Sequence, residues 1–325
     1  MGSVKNWSGS RGRGLRPTVW FAGRKSFWPP LTGNPTRRSR GGSGSPIPPS
    51  AIGATNGSIR VGFQLSTDPP FVGKVRDDEL GRTFAHDIRA ARVAFDTKPA
   101  TTGPSTARCY IMVTPDGERT MNTYLGAAQD LTSADIDEAA VASAGVIYLE
   151  GYLWDPPKAK EAFLKAAGIA HKHGRRVALT LSDAFCVDRY RSEFLDLIKR
   201  GTVDILFANE HELRSLYQTA DFDTGVKALQ KDAKLAVVTR SERGCMVVAR
   251  NALEAVQAMP VGQVVDVTGA GDLFAAGFLV GLSHGKDHRT AARLGSLAAA
   301  EVIQHVGARP AVSLKALAAE NGLAL

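Results

Sequence analysis

The chain has 325 residues, 44% of them hydrophobic and 22% charged, which is the make-up of an ordinary globular protein long enough to bury a large core. That composition excludes collagen-like and disulfide-rich scaffolds, and its best apolar run, residues 273–282, falls short of the roughly 18 residues a membrane span needs. The net charge of +8 is local: residues 1–60 hold 10 of the 40 Lys and Arg and none of the 32 Asp and Glu, so residues 61–325 carry −2 and have no field to attract nucleic acid.

Residues 1–60 also contain 11 Gly, 7 Pro, 9 Ser and three of the four Trp, with no helical or strand period. They are expected to lack a packed core, and a boundary is placed at residues 67/68. Glycine and proline at this density argue against the amphipathic helix of a transit peptide, and the arginines have few aromatic neighbours for an RNA-binding tail.

From Pro70 onward short apolar runs alternate with helical stretches. Residues 105–113 and 120–124 read as strands joined at Asp116 and Gly117, a dipeptide suited to a tight hairpin. Thr132 and Asp135 form a capping box, and a buried strand, VIYLEG, begins at Val146. Asp155 reads as an N-cap with Pro156 at the first helical position, Ala162, Phe163, Ala166 and Ala170 as the buried stripe, and Gly174 as the stop. There follow the strand VALTL, a helix over residues 189–199, the strand VDILFAN, helices from Glu210 and Thr224, and a strand ending at Thr239. Such alternation predicts an α/β fold, a doubly wound parallel sheet flanked by helices. The three cysteines, Cys109, Cys186 and Cys245, are odd in number and far apart, which predicts reduced thiols and a cytoplasmic protein.

In such sheets ligands bind beyond the carboxyl ends of the strands. The segment VVDVTGAGDLFAAGFLVGL, residues 264–282, reads as a strand ending near Val267, a turn at Gly269, Ala270 and Gly271, and a helix from about Asp272. Two glycines leave backbone N–H groups bare, and the helix start adds partial positive charge, so the turn is an anion hole. Asp272 at its lip suits a general base that takes a proton from a hydroxyl attacking a phosphoryl group. A dinucleotide fingerprint would need glycine where Phe274 stands, and no P-loop sequence occurs. As GAGD alone, the same residues would read as a capped helix start.

The longer run DVTGAGDLFAAGF resembles the C-terminal signature of the PfkB carbohydrate and nucleoside kinases. Asn209 and Glu212, in N-E-H-E after VDILFA, resemble the N-x-x-E motif by which that family organises magnesium through water. Alone they would read as a helix cap. GPSTARCY, GERTMNTYLGAAQDL, VIYLEGYLW and LTLSDAFC resemble the lid and pocket segments of adenosine kinases, so the likeness covers about residues 71–325. It implies a ribokinase-like domain over residues 68–325 with a small β lid at about 100–125. The implied reaction transfers a phosphoryl group from ATP, with Mg2+, to a primary hydroxyl of a ribonucleoside or sugar, adenosine favoured. The implied partner is that small molecule alone, with no nucleic acid and no membrane, and the protein would be a monomer or homodimer.

Residue by residue, the resemblance implies that Asp272 is the base and that Gly269, Ala270, Gly271 and Arg119 hold the transferring phosphoryl. Asn209, Thr239, Ser241, Gly244 and Ser296 would border the nucleotide, Ser241 standing where the family has glycine. Tyr152 and Phe185 would meet the substrate. For Arg119 a surface salt bridge, and for the two aromatics core packing, are the competing readings.

The front of the chain departs from the family. Residues 41–50, GGSGSPIPPS, have the glycines but not the A-N of the family's G-G-x-x-A-N substrate element. A shifted reading frame or wrong start in a GC-rich gene would give such a composition. The alternative expectation is therefore a nucleotide-binding module that binds nucleotide weakly and transfers phosphate poorly, and a third class, a nucleic-acid-associated protein, would use the basic segment.

Overall fold

The computed structural model describes residues 70–325 and, ahead of them, only the backbone of two strands, β1 (Arg16–Trp20) and β2 (Ile59–Val61). β1 and β2 each pair with an edge that would otherwise expose unpaired backbone groups. The expectation that residues 1–60 lack a packed core falls on side chains outside the described residues. Residues 41–50 lie outside the described residues.

β3 (Phe71–Val72) leads to α1 (Glu79–Ala90), whose N-cap Asp78 accepts from Gly81 N at 2.8 Å. The acidic run of Asp77, Asp78 and Glu79 is thus a helix entry. β4 (Arg108–Val113) and β5 (Arg119–Tyr124) form the expected hairpin, and β1 adds antiparallel to β4 as a third strand. The capping box of Thr132 and Asp135 is present on a single 3-10 turn, and α2 (Glu138–Ser143) follows.

β6 (Val146–Glu150), β7 (Arg176–Thr180), β8 (Ile205–Asn209) and β9 (Leu235–Thr239) run parallel, separated by α3 (Pro157–Lys172), α4 (Ala184–Lys199), α5 (Glu210–Tyr217) and α6 (Phe222–Asp232). β10 (Cys245–Ala249) and β11 (Ala252–Val256) extend one edge antiparallel, while β2 and β3 extend the other. The eight strands lie in the order β11-β10-β9-β8-β7-β6-β2-β3. α7 (Ala270–Ser283), α8 (His288–Val302) and α9 (Leu314–Glu320) close the chain.

Alternate residues of the parallel strands enter different cores, as a two-residue side-chain period requires. Ile147, Leu149, Val177, Leu179, Leu206, Ala236 and Val238 pack with α3, α4, α5 and α6. Val146, Tyr148, Ala178, Ile205, Phe207, Leu235 and Val237 pack with α7 and α8. Helices cover both faces, so the doubly wound α/β fold is observed.

Some boundaries move. Asp155 closes a 3-10 turn, and Pro156 is the N-cap of α3 with Pro157 at N1, because two successive prolines put the fixed φ one residue later. α4 begins at Ala184, since Asp183 accepts from Phe185 N and Cys186 N; the helix expected from Arg189 is the part near and beyond a kink at Tyr190. α6 starts at Phe222 under Asp221 rather than at Thr224. Residues 264–267 are not a strand: Val265 N and Asp266 N both donate to Ile303 O, at 2.8 and 3.3 Å, so a loop carbonyl takes the place of a ladder. All three cysteines are free. Among the described residues no helix is long and apolar enough to cross a membrane.

Candidate active site

The parallel strands end side by side at Glu150, Thr180, Asn209 and Thr239, and the residues after them form one crevice rim. At β8 and β9 the register pairs Asn209 with Thr239 directly. Asn209 caps α5: its Oδ1 accepts from Glu212 N at 2.9 Å. Glu212 in turn accepts Asn209 N at 2.9 Å and Asn209 Nδ2 at 2.7 Å, one on each carboxylate oxygen. The helix-cap reading of N-x-x-E is therefore realised. Glu212 is also only 5% exposed, and burial pushes its carboxyl up to about 7, with Asp183 adding to the rise and the Asn209 N–H opposing it.

Tyr152, after β6, donates its hydroxyl to Ser182 O at 3.4 Å, while Ser182 Oγ accepts from Gly151 N at 2.8 Å. Burial, then the carboxylates of Asp183, Glu212 and Glu150, raise the Tyr152 phenol well above its ordinary value, so these four groups share one environment. Ser182 adopts φ 67, a left-handed conformation that costs a non-glycine residue on the order of 1 kcal/mol and collects at functional sites. Ser182, Asp183 and Glu150 were not nominated from sequence. The signal available was the S-D-A-F run after a buried strand, in which Asp183 is a ready N-cap. Phe185 stands 78% exposed at the rim, so core packing is not its role.

Beyond β9, Ser241 has φ 52, which is why a glycine suits that position, and Gly244 has φ 80 with a would-be Cβ 2.0 Å from Val256 O. Gly244 is thus required by the turn into β10. The turn is clamped from α5: Glu210, 5% exposed, accepts from Arg214 at 2.7 Å, Arg240 at 3.2 Å and Arg243 at 2.5 Å, and Arg240 lies 3.7 Å from the centroid of Phe222. Ser296 is buried in α8.

α7 begins two residues earlier than expected, at Ala270, with Gly269 as N-cap at φ 84. The physical cause is steric: a Cβ on Gly269 would lie 2.7 Å from Ala308 Cβ, so only glycine can make this turn. Asp266, fully buried, accepts from Thr268 N and Gly307 N, each at 2.9 Å, and from Thr268 Oγ1, fixing the approach to the turn. Ala270 N donates to Val267 O at 3.2 Å, which removes it from the expected set of three open donors. Among the described residues the N–H groups of Gly269 and Gly271 have no hydrogen-bond acceptor. Gly271 is exposed, and a Cβ built there meets nothing within 4 Å. Among the described residues nothing therefore demands glycine at 271, and its N–H is one that an anion could use. Asp272 follows at the third helical position, half-buried.

Arg119 opens β5, opposite Val113, and strand alternation puts it on the same face of the hairpin as Ile111, which is buried at 5% exposure. It makes no ion pair among the described residues, so the surface salt bridge is not formed. Among the described residues no hydrogen bond or ion pair joins the side chains of Arg119, Phe185 or Ser296 to the other nominated residues, whereas Tyr152, Asn209, Glu212 and Thr239 are brought together. No group of His, Cys, Asp and Glu arranged to hold a metal directly occurs among the described residues.

A family model described as pfkB family carbohydrate kinase matches residues 53–315. Among solved structures the chain is 54% identical to adenosine kinase from Sinorhizobium meliloti, at TM-score 0.77 over 79% of each chain. It is 52% identical to a probable sugar kinase protein from Rhizobium etli CFN 42, at TM-score 0.78 over 79% of this chain and 78% of that one. It is 29% identical over 244 residues to probable fructokinase-6, chloroplastic, of Arabidopsis thaliana, a match that takes in 72% of this chain and 63% of that protein, less than two thirds of its length.

Proposed function

Because the chain belongs to the pfkB family of carbohydrate kinases, we propose that it transfers the terminal phosphoryl group of ATP, taken with magnesium, to a primary hydroxyl of a ribonucleoside, with adenosine the favoured acceptor. The observation that carries this reading is the start of α7. Gly271 offers an N–H that has no acceptor among the described residues, Gly269 offers a second, and Asp272 stands beside them. A phosphoryl group on those donors would lie within reach of a carboxylate able to take the proton of an attacking hydroxyl. Arg119 would add charge to the equatorial oxygens.

The nucleotide would run from this turn past Thr239, Ser241, Gly244 and Ser296. The donor set fits magnesium held through water: both Glu212 oxygens already serve the cap, and a nearby cation would offset the burial that disfavours its ionised form. When bound, the ion would neutralise charge on the phosphates. Tyr152 and Phe185 would meet the base or sugar. Adenosine as acceptor is supported by the 54% identity to the Sinorhizobium adenosine kinase, which stands beside 52% to the Rhizobium probable sugar kinase and 29% to the plant fructokinase.

Calorimetric titration of the full chain with Mg·ATP and with adenosine separately tests the assignment. Binding of both is expected. Nucleotide binding without adenosine binding would favour an impaired nucleotide-binding module, and binding of neither would remove the reading.

A further inference from the structure

The lid hairpin turn is buried at a single residue. Thr114, Pro115, Asp116, Glu118 and Arg119 are exposed, whereas Gly117 is buried. Its φ is +85, and a Cβ added to it would lie 2.7 Å from Val264 Cγ1 and 3.5 Å from Val264 C and Val265 C. Its carbonyl accepts from Val267 N at 3.1 Å. Val267 also uses its own carbonyl, to accept from Ala270 N at 3.2 Å at the first position of α7. One residue thus ties the lid turn on one side to the phosphate-binding turn on the other. The remaining donors nearby are fixed from elsewhere: Val265 N and Asp266 N by Ile303 O, and Gly307 N and Thr268 N by the Asp266 carboxylate. Residue 267 is therefore the point at which the lid bears on the turn.

We infer that Gly117 is a positioning residue that seats the lid on residues 264–267, so that the geometry of the turn at Gly269, Ala270 and Gly271 and the placement of Arg119 are set together. The inference rests on the phosphotransferase reading for its kinetic consequence, though not for the docking itself. Glycine is needed twice over, because the backbone is left-handed and because there is no room for a side chain. Arg119 lies two residues along the same rigid hairpin, on the lid face shared with buried Ile111, and moves with the turn.

Gly117→Ala tests this by hydrogen exchange in the full chain, a measurement that needs no turnover. Amides of residues 264–273 should exchange at least about tenfold faster than in wild type, while β6 to β9 stay unchanged. Adding Val264→Ala makes room for the new methyl and should return part of the protection. Kinetically, Gly117→Ala should lower kcat by about 10- to 100-fold, as a small misplacement of reacting groups does, and lose most of that effect in an Arg119→Ala background. Unchanged exchange over residues 264–273 would overturn the docking. Accelerated exchange together with fully additive effects of the 117 and 119 substitutions would overturn the link to Arg119. A wild type inactive on every acceptor would count against the phosphotransferase reading, and the exchange result would still decide the docking.

Discussion

The two glycines of the α7 turn do different jobs, and substitution separates them. Gly269 is held at φ 84 against Ala308, so any side chain there strains the fold. A Cβ at Gly271 would meet nothing among the described residues, and alanine is a better helix former than glycine by up to about 1 kcal/mol. Gly271→Ala is therefore expected to leave the melting temperature unchanged or slightly higher while cutting kcat/KM for ATP by tenfold or more, as about 1.4 kcal/mol of lost transition-state stabilisation would. A drop in melting temperature with ATP kinetics intact would reverse the assignment. For Asp272, replacement by Asn keeps the shape and removes the base. Turnover should fall by about 10²- to 10⁴-fold with Mg·ATP affinity nearly intact. Turnover within about tenfold of wild type would take Asp272 out of the reaction.

At the scale of elements, the amino ends of the parallel strands are pinned as firmly as the carboxyl ends are left open. Asp204, just ahead of β8, accepts from Val177 N on β7 at 2.8 Å, from His171 on α3 at 2.9 Å and from Lys234 beside β9 at 2.7 Å. Burial pushes its carboxyl up, but Lys234, the Val177 N–H and His171 together hold it below the ordinary value of 3.8. A depressed folded-state pKa adds stability above the unfolded value and loses it as pH falls through the folded one. Asp204→Asn should thus cost about 1 to 2 kcal/mol in urea unfolding near pH 7, with the difference shrinking below about pH 4. A pH-independent difference would mean that the loss is one of packing.

The elements that were legible in the sequence share a cause. β6, β8 and β9 are buried on both faces and read as continuous apolar runs, and α3 and α5 carry marked starts. Residues 264–267 misled because an extended apolar run can satisfy its N–H groups on a loop carbonyl as well as on a strand. β1 and β2 were missed because pairing with distant edges, not local pattern, makes them strands. The β10–β11 hairpin went unassigned between two recognised motifs.

For the whole molecule, the eight-stranded sheet gathers the ends of β6, β8 and β9 into one rim, while α7 and the lid turn approach through residues 264–267. The candidate site was partly legible because N-x-x-E marks where β8 gives way to α5 and G-A-G-D marks where a loop gives way to α7. Ser182 and Asp183 were not, because their importance lies in a left-handed turn and a cap that only the folded chain displays. The lid seating on Gly117 is a long-range contact that no local pattern announces. The most direct test of the account is transfer of the labelled terminal phosphate of ATP by the full chain to adenosine, ribose, fructose and inosine compared side by side. Phosphorylated adenosine should form fastest and in step with ADP. ADP release without a phosphorylated acceptor, or fructose preferred over adenosine, would contradict it.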